Sequence, residues 1–327
     1  MERGIGGETA PAAARAVARD ADPRDKAGMI RAAAIALLAA ALPLAACAPG
    51  GPVEGASAAP AEALAQARWP AAPPVRAVML VVHGYGDYAE TLLGEVAPFW
   101  AASGIEVRAY DQRGFGRNAS RGAWPGAEAL ISDFAAQARA ARADHPDLPL
   151  IALGHSLGGG VVLAALGEGR APEVDGAVLL APAIGGGPHI NGFMRAGMWA
   201  MTTLIPDRRL SGEGIVRIQA SDNVPALRAL AADPLYLAKP TPREMQGLVR
   251  IMDRAEAAAG AVEVPLLIAL GARDEVVDNA DVRAVAAKLP RPPDLRDYSE
   301  GWHLLLRDLG RRAVWEDVRD WVLARAP

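Results

Sequence analysis

The stretch Gly154-His155-Ser156-Leu157-Gly158 decides how this chain is expected to fold. It follows an apolar run over residues 148–153 and opens onto a second apolar run over residues 159–166. This order predicts a buried strand, a tight turn with Ser156 at its apex, and then a helix. A serine at such an apex has a strained backbone, and Gly154 and Gly158 leave the room that the turn requires. The alternative interpretation is a glycine-rich turn with a solvated serine.

A serine hydroxyl is a weak nucleophile unless a base accepts its proton and an acid orients that base. Four of the five histidines are poor candidates for the base, because His83 ends an apolar strand, His145 lies in a polar loop, His155 is held inside the turn and His189 lies in a glycine-rich stretch. His303 remains, between a candidate last strand at 294–298 and a C-terminal helix expected at 304–325. A single histidine is usually structural, but this one completes a Ser…Asp…His order, and we predict that it is the general base.

The acid is expected after a strand that lies between the serine and the histidine. An apolar strand at 264–270 is followed by a loop that contains Asp274, Glu275 and Asp278. Active-site residues of open α/β sheets collect just beyond strand ends, and this favours Asp274. Glu275 and Asp278 are its rivals, and all three could also be solvated or cap a helix.

Acyl transfer also needs hydrogen-bond donors for the oxyanion of the tetrahedral intermediate. One predicted donor is the backbone N–H of Leu157, the residue after the nucleophile. The other is the N–H of Tyr85 in His83-Gly84-Tyr85-Gly86, which follows an apolar strand at 76–82. His83 itself is interpreted as a packed, hydrogen-bonded histidine.

Taken together, these segments resemble the α/β-hydrolase superfamily, in its branch of monoacylglycerol lipases, lysophospholipases and serine aminopeptidase-like hydrolases. The resemblance covers residues 75–327 and includes the segment 110–117, Tyr-Asp-Gln-Arg-Gly-Phe-Gly-Arg. It implies no metal and no organic cofactor, and it implies that Asp111 and Arg113 form a turn-fixing pair. The chain departs from the family pattern at its N-terminal edge, where only residues 62–69 offer a short strand, so the sheet is expected to be shorter than the family's eight strands.

Strands and helices alternate along the chain, which predicts an α/β fold with a mostly parallel sheet and helices on both faces. The predicted strands are 76–82, 105–110, 149–154, 176–181, 264–270 and 294–298, and the predicted helices are about 88–102, 128–143, 157–167, 279–288 and 304–325. We assign 75–183 and 263–327 to the core and 184–262 to an inserted helical cap. Methionines recur at helical spacing in the insertion, at Met245 and Met252 among others. Ordinary helix packing accounts for such a stripe, and a soft acyl-binding wall is the functional alternative.

The N-terminal segment is expected to be a leader of residues 1–46. An apolar run of about eleven residues after Met29 suits a signal peptide, since it is too short to span a bilayer. Leu44-Ala45-Ala46-Cys47 resembles a bacterial lipobox, and Cys47 is the only cysteine in the chain. The sequence therefore predicts translation from Met29, a lipid on Cys47, a flexible tether over 47–74 and a location at the periplasmic or outer-membrane face of the cell envelope.

The composition and charge of the chain bear on which binding partners it is expected to have. The chain has 327 residues, 51% of them hydrophobic, and a formal net charge of −4, so it offers no basic footprint for nucleic acid. We expect a serine ester hydrolase acting on a small lipid such as a monoacylglycerol or lysophospholipid. An acyltransferase or aminopeptidase with the same triad is one alternative, and a non-catalytic envelope-binding lipoprotein is another. The sequence says nothing of the oligomeric state.

Overall fold

A computed structural model describes residues 63–186, 192–210 and 218–326. Cys47 and the predicted leader and tether up to residue 62 lie outside the described residues. The strands are β1 (Gln66–Trp69), β2 (Ala77–Val82), β3 (Ile105–Tyr110), β4 (Leu150–His155), β5 (Gly176–Leu180), β6 (Leu266–Gly271) and β7 (Asp294–Tyr298). The helices are α1 (Ala89–Leu93), α2 (Ala97–Ala102), α3 (Ala127–Asp144), α4 (Leu157–Gly167), α5 (Gly192–Leu204), α6 (Val224–Ala232), α7 (Pro242–Ala258), α8 (Asn279–Ala286) and α9 (Arg311–Leu323).

The strands form one sheet in the order β1-β3-β2-β4-β5-β6-β7. Strands β2 to β7 pair in parallel, and β1 alone runs antiparallel, against β3 at the edge. Parallel strands are buried on both faces, which explains why β2, β4 and β5 read as continuous apolar runs rather than alternating ones. The predicted α/β class is confirmed, and the described sheet has seven strands, as the short N-terminal edge had indicated.

The core consists of two hydrophobic layers, one on each face of the sheet. Val78 and Leu80 of β2 point into the layer formed with α3, α4, α7 and α8. Their neighbours Met79 and Val81 point into the opposite layer, formed with α1, α2 and α9. This alternation follows from the two-residue period of a strand. The carboxyl ends of the parallel strands therefore meet at one edge, which carries the candidate site.

Two predicted helices have different bounds in the structure. The helix expected over about 88–102 is two helices, α1 and α2, because the chain turns at 94–96 before Pro98 enters the first turn of α2. The helix expected over 304–325 begins only at Arg311. Residues 304–310 form turns instead, since Asp308 accepts hydrogen bonds from the Trp302 N–H and the Ser221 hydroxyl and so holds this segment against the insertion.

Helices α5, α6 and α7 lie between β5 and β6, in the interval assigned to the cap. The bounds of 184–262 for that cap stay a prediction. Among the described residues, no helix is long and apolar enough to cross a membrane.

Candidate active site

Ser156 lies at the sharp turn between β4 and α4. Its φ is 51° and its ψ is −117°, a left-handed conformation that costs a non-glycine residue free energy. The flanking glycines are required by close backbone contacts: a Cβ on Gly154 would lie 2.5 Å from the Gly158 carbonyl oxygen, and one on Gly158 would lie 2.1 Å from the Val82 carbonyl oxygen. The turn presents the serine at the N-terminus of α4, where the helix dipole favours negative charge.

His303 and Asp274 are hydrogen bonded to each other, on the loops that follow β7 and β6. The distance from His303 Nδ1 to Asp274 Oδ2 is 2.8 Å, and the Asp274 side chain is fully buried. Asp274 Oδ1 also accepts the N–H groups of Val276 and Val277, at 2.7 and 2.9 Å. Burial alone would raise the pKa of Asp274, but the hydrogen bond and charge of His303 and the two loop N–H groups bring this pKa below its usual value. Asp274 is therefore an ionised acceptor that orients the imidazole.

His155, the residue before Ser156, contacts His303. The ring of His155 lies 5.2 Å from the ring of His303, centre to centre, and its Nε2–H donates to the His303 carbonyl oxygen at 3.1 Å. Burial lowers the pKa of His155 to about 3, so it is neutral at physiological pH. Ser156 and His303 are themselves 9% and 5% exposed. That Ser156, His303 and Asp274 act as a triad stays a prediction.

The rival carboxylates have other partners. Glu275 Oε2 accepts the Gln219 N–H at 2.7 Å. Asp278 is the N-cap of α8 and accepts the Ala280 N–H at 2.9 Å. Of the three acids on this loop, Asp274 is the one hydrogen bonded to His303.

The loop after β2 approaches Ser156 closely. A Cβ on Gly84 would lie 3.3 Å from the Ser156 Cβ, so the next residue, Tyr85, stands beside the turn. Tyr85 is the second residue of a turn that is closed by a hydrogen bond from the Asp87 N–H to the Gly84 carbonyl, and the Tyr85 N–H takes no part in that hydrogen bond. Leu157 is the first residue of α4, where a backbone N–H has no acceptor within the helix. The oxyanion role of both N–H groups stays a prediction.

His83 is buried and hydrogen bonded on both ring nitrogens. Nε2 accepts the Gln112 N–H at 2.8 Å, so the proton is on Nδ1, which donates to the Gly84 carbonyl. Burial lowers the pKa of His83. These bonds fix the loop that carries Tyr85.

Asp111 and Arg113 do not pair with each other, contrary to the interpretation as a turn-fixing pair. Asp111 accepts the Ala89 N–H at 3.0 Å and the Arg117 Nε at 2.9 Å, whereas Arg113 forms a two-pronged contact with Asp133. The arginine at 113 points to α3, so each residue fixes the turn through a separate partner.

The sequence did not indicate the role of residues 219–223, which join the insertion to the histidine loop. Ser221 donates to Asp308 at 2.6 Å, and the Leu304 N–H donates to the Ala220 carbonyl at 2.9 Å. These contacts span more than eighty residues of chain, and no local pattern announces them. In the part of the chain that the structure describes, no group of three or more His, Cys, Asp or Glu side chains is arranged to hold a metal ion.

Comparison with known proteins gives consistent matches. The model of the family described as serine aminopeptidase, S33, matches residues 73–310. The monoacylglycerol lipase of Mycolicibacterium smegmatis is 28% identical over 255 residues, which is 76% of this chain and 89% of that protein. Phospholipase YtpA of Bacillus subtilis is 28% identical over 216 residues, which is 65% of this chain and 82% of that protein. Among solved structures, the monoacylglycerol lipase of Paleococcus ferrophilus superposes with a TM-score of 0.69 at 21% identity, covering 80% of this chain and 99% of that one.

Proposed function

The chain belongs to the serine aminopeptidase S33 family of hydrolases, and we propose that it is a serine ester hydrolase that cleaves monoacylglycerols or lysophospholipids. The observation that carries the proposal is the Asp274–His303 hydrogen bond on the loops beside the strained Ser156. Two relatives that cover most of this chain's length are a monoacylglycerol lipase and a phospholipase, and both names favour a lipid ester over a peptide amide.

In the proposed first half-reaction, the Ser156 hydroxyl oxygen attacks the ester carbonyl carbon while His303 Nε2 accepts its proton. Asp274 holds the Nδ1–H of His303, so that Nε2 is free to accept, and stabilises the imidazolium that forms. The N–H groups of Leu157 and Tyr85 donate to the oxyanion of the tetrahedral intermediate. When this intermediate collapses, the alcohol leaves with the proton from His303 and the acyl group stays on Ser156.

In the second half-reaction, water attacks the acyl-enzyme and gives a proton to His303. The second tetrahedral intermediate uses the same two N–H donors. Its collapse releases the fatty acid, and the proton on His303 returns to the Ser156 oxygen. No further reactant is needed, since water supplies the hydroxyl group of the acid and the proton of the alcohol.

The variant Ser156→Ala tests the nucleophile. We expect its kcat for p-nitrophenyl butyrate to fall by roughly three to six orders of magnitude, because members of a triad act as a unit. A fluorophosphonate probe should label the wild type and not this variant. Ser299→Ala is the matched control, because Ser299 is exposed and lies near His303 in the sequence. If Ser156→Ala keeps its activity and its label, the nucleophile is another residue.

A panel of substrates tests which bond the enzyme cleaves and whether water or an alcohol accepts the acyl group. We expect hydrolysis of 1-monoacylglycerols and lysophosphatidylcholine to exceed hydrolysis of aminoacyl p-nitroanilides, the substrates of an aminopeptidase. Faster cleavage of the anilides would assign peptidase activity instead. A wild type that is labelled by the probe but forms an ester with added alcohol more readily than a free acid would be an acyltransferase.

We also propose that Cys47 carries a lipid that anchors the enzyme to the cell envelope. The support is the lipobox-like Leu44-Ala45-Ala46-Cys47 after an apolar run. Metabolic labelling with radioactive palmitate should mark the wild type in the membrane fraction, and Cys47→Ser should lose both the label and the membrane association. An unlabelled wild type would contradict the anchor without bearing on the hydrolase activity.

A further inference from the structure

The side chain of Tyr85 joins the loop beside Ser156 to a helix of the insertion. Its hydroxyl donates to Glu244 Oε2 of α7 at 2.7 Å, across 159 positions of sequence. We propose that Glu244 is a positioning residue for the oxyanion hole, which holds the Tyr85 N–H in place through this hydrogen bond. The inference rests on the proposed function, because it concerns the donor assigned to Tyr85 there.

Glu244 is itself held from several sides. It is 2% exposed, and its Oε2 also accepts the Thr241 N–H at 2.7 Å, while the Thr241 hydroxyl accepts the Glu244 N–H. This reciprocal pair is a capping box, which fixes the first turn of α7. Arg209 lies 3.3 Å from the same carboxylate and balances its charge. The Glu244 carboxylate, which accepts the hydrogen bond from the Tyr85 hydroxyl, is therefore held in one position.

The helix that carries Glu244, α7, packs on the protein core. Ile251 and Ala255 of α7 are fully buried in the layer that also contains α4, the helix that begins after Ser156. A Cβ on Gly160 of α4 would lie 2.7 Å from Ile251 Cγ2, so the two helices approach closely. Helix α7 thus ties the Tyr85 loop and the nucleophile helix to one rigid element.

The Tyr85 loop is fastened at two further points. The Leu237 N–H donates to the Gly86 carbonyl at 2.8 Å, and the Phe115 ring packs edge-on against the Tyr85 ring at 5.4 Å. Burial, first, and then the hydrogen bond to Glu244 raise the pKa of the Tyr85 phenol well above its usual value. The phenol is therefore a neutral donor to a carboxylate, a charge-assisted hydrogen bond that is stronger than a neutral one.

A loosened Tyr85 should affect the transition state more than substrate binding. The oxyanion exists only after attack on the carbonyl, so its donors contribute to kcat and hardly to KM. Removing one oxyanion donor costs about 10²- to 10³-fold in kcat. Displacing the donor without removing it should cost less, and we expect about 10- to 100-fold for the loss of the Tyr85–Glu244 hydrogen bond.

The test compares Tyr85→Phe with Arg254→Ala. Tyr85→Phe removes the hydroxyl and keeps the ring, the backbone N–H and the capping box. Arg254→Ala removes the ion pairs that join α7 to Glu128 and Glu168 but leaves every contact of Glu244, so it reports what a merely structural disturbance of this helix does. The readouts are kcat and KM for p-nitrophenyl butyrate, the inhibition constant of an alkyl trifluoromethyl ketone, which forms an oxyanion on the serine, and the melting temperature.

We expect Tyr85→Phe to lower kcat about 10- to 100-fold with KM within about twofold, and to weaken the ketone by the same factor. Arg254→Ala should keep kcat within about twofold, and its melting temperature should fall only slightly because exposed ion pairs contribute little. Glu244→Gln should stay close to wild type because its amide oxygen still accepts from the phenol, whereas Glu244→Ala should match Tyr85→Phe. The double variant Tyr85→Phe/Glu244→Ala should be no worse than either single one.

A kcat for Tyr85→Phe within twofold of wild type would overturn the inference, as would equal losses of kcat in Tyr85→Phe and Arg254→Ala. Either result leaves the proposed function standing, provided that the probe still labels Ser156 in the wild type. A wild type that neither hydrolyses esters nor takes the label would overturn the proposed function, and with it this inference.

Discussion

Replacing Asp274 by asparagine should disable the site while leaving its shape intact, because the structure dictates how the amide must face. Asp274 Oδ1 accepts two loop N–H groups, from Val276 and Val277, and Oδ2 accepts one, from His303. An asparagine that keeps its oxygen on the loop presents its NH₂ group to His303 Nδ1. The opposite orientation would set the NH₂ group against two N–H donors and lose both hydrogen bonds, at about 1 kcal/mol or more each.

The preferred orientation reverses the tautomer of His303. Nδ1 then becomes an acceptor, the proton moves to Nε2, and Nε2 is no longer able to accept the Ser156 proton. A preference of about 2 kcal/mol leaves about one molecule in thirty with the productive tautomer. Loss of the carboxylate charge beside the imidazolium adds to this, and together we expect kcat to fall by roughly 10³- to 10⁴-fold.

The assay is the steady-state hydrolysis of p-nitrophenyl butyrate, with the rate of fluorophosphonate labelling as a second measure of serine reactivity. Glu275→Gln is the matched control, since Glu275 lies on the same loop and contacts the Gln219 N–H instead. Thermal unfolding checks that each variant is folded. The reasoning is refuted if Asp274→Asn keeps more than about a tenth of the wild-type kcat, or if Glu275→Gln loses as much as Asp274→Asn.

Two more predictions concern stability. The pKa of His155 is about 3 in the folded protein, below its unfolded value of about 6.5. The unfolded chain therefore binds one more proton than the folded protein between these pH values. The free energy of unfolding should fall by about 1.4 kcal/mol per pH unit as the pH drops below 6.5. Urea unfolding between pH 5 and 7.5 should show this slope reduced in His155→Leu. Gly158→Ala should lose the folded site, because its Cβ would lie 2.1 Å from the Val82 carbonyl oxygen, whereas Gly310→Ala meets nothing within 4 Å. Melting temperatures of the two variants should differ widely, and equal values would contradict the steric argument.

The sheet was largely predictable because its central strands are short apolar runs that carry their own signal. β3 and β7 were predicted at their observed bounds and β2, β4, β5 and β6 within two residues, while β1 occupies only the second half of the segment 62–69. The turn at Ser156 was predictable from its flanking glycines, since few other residues tolerate such close backbone contacts. The predicted start of α9 was wrong because a contact from outside this segment decides it. The apolar residues 304–306 suggested a helical face, but the hydrogen bond from Ser221 to Asp308 holds this segment in turns.

The contacts of the insertion were beyond local reasoning. Thr241-x-x-Glu244 carries the pattern of a capping box and indicates where α7 begins. Nothing in that pattern shows that the same carboxylate also accepts a hydrogen bond from Tyr85, since a pairing over 159 positions depends on how the whole chain folds. The pairing of Asp111 with Arg117 rather than with Arg113 was missed for a related reason, because both arginines are close enough in sequence to reach it.

The helices of the insertion differ in how firmly they pack on the core. Helix α5 has no buried residue, and its Phe193 and Trp199 are 67% and 48% exposed. Helix α7 instead buries Ile251 completely against α4, and withdrawing one such side chain from the core costs about 2–3 kcal/mol, before its neighbours are counted. Because α7 also accepts the hydrogen bond of the Tyr85 hydroxyl through Glu244, lifting this helix would release the loop that carries the predicted oxyanion donor. We therefore expect an opening that preserves the proposed catalysis to move α5 while α7 stays seated on the core.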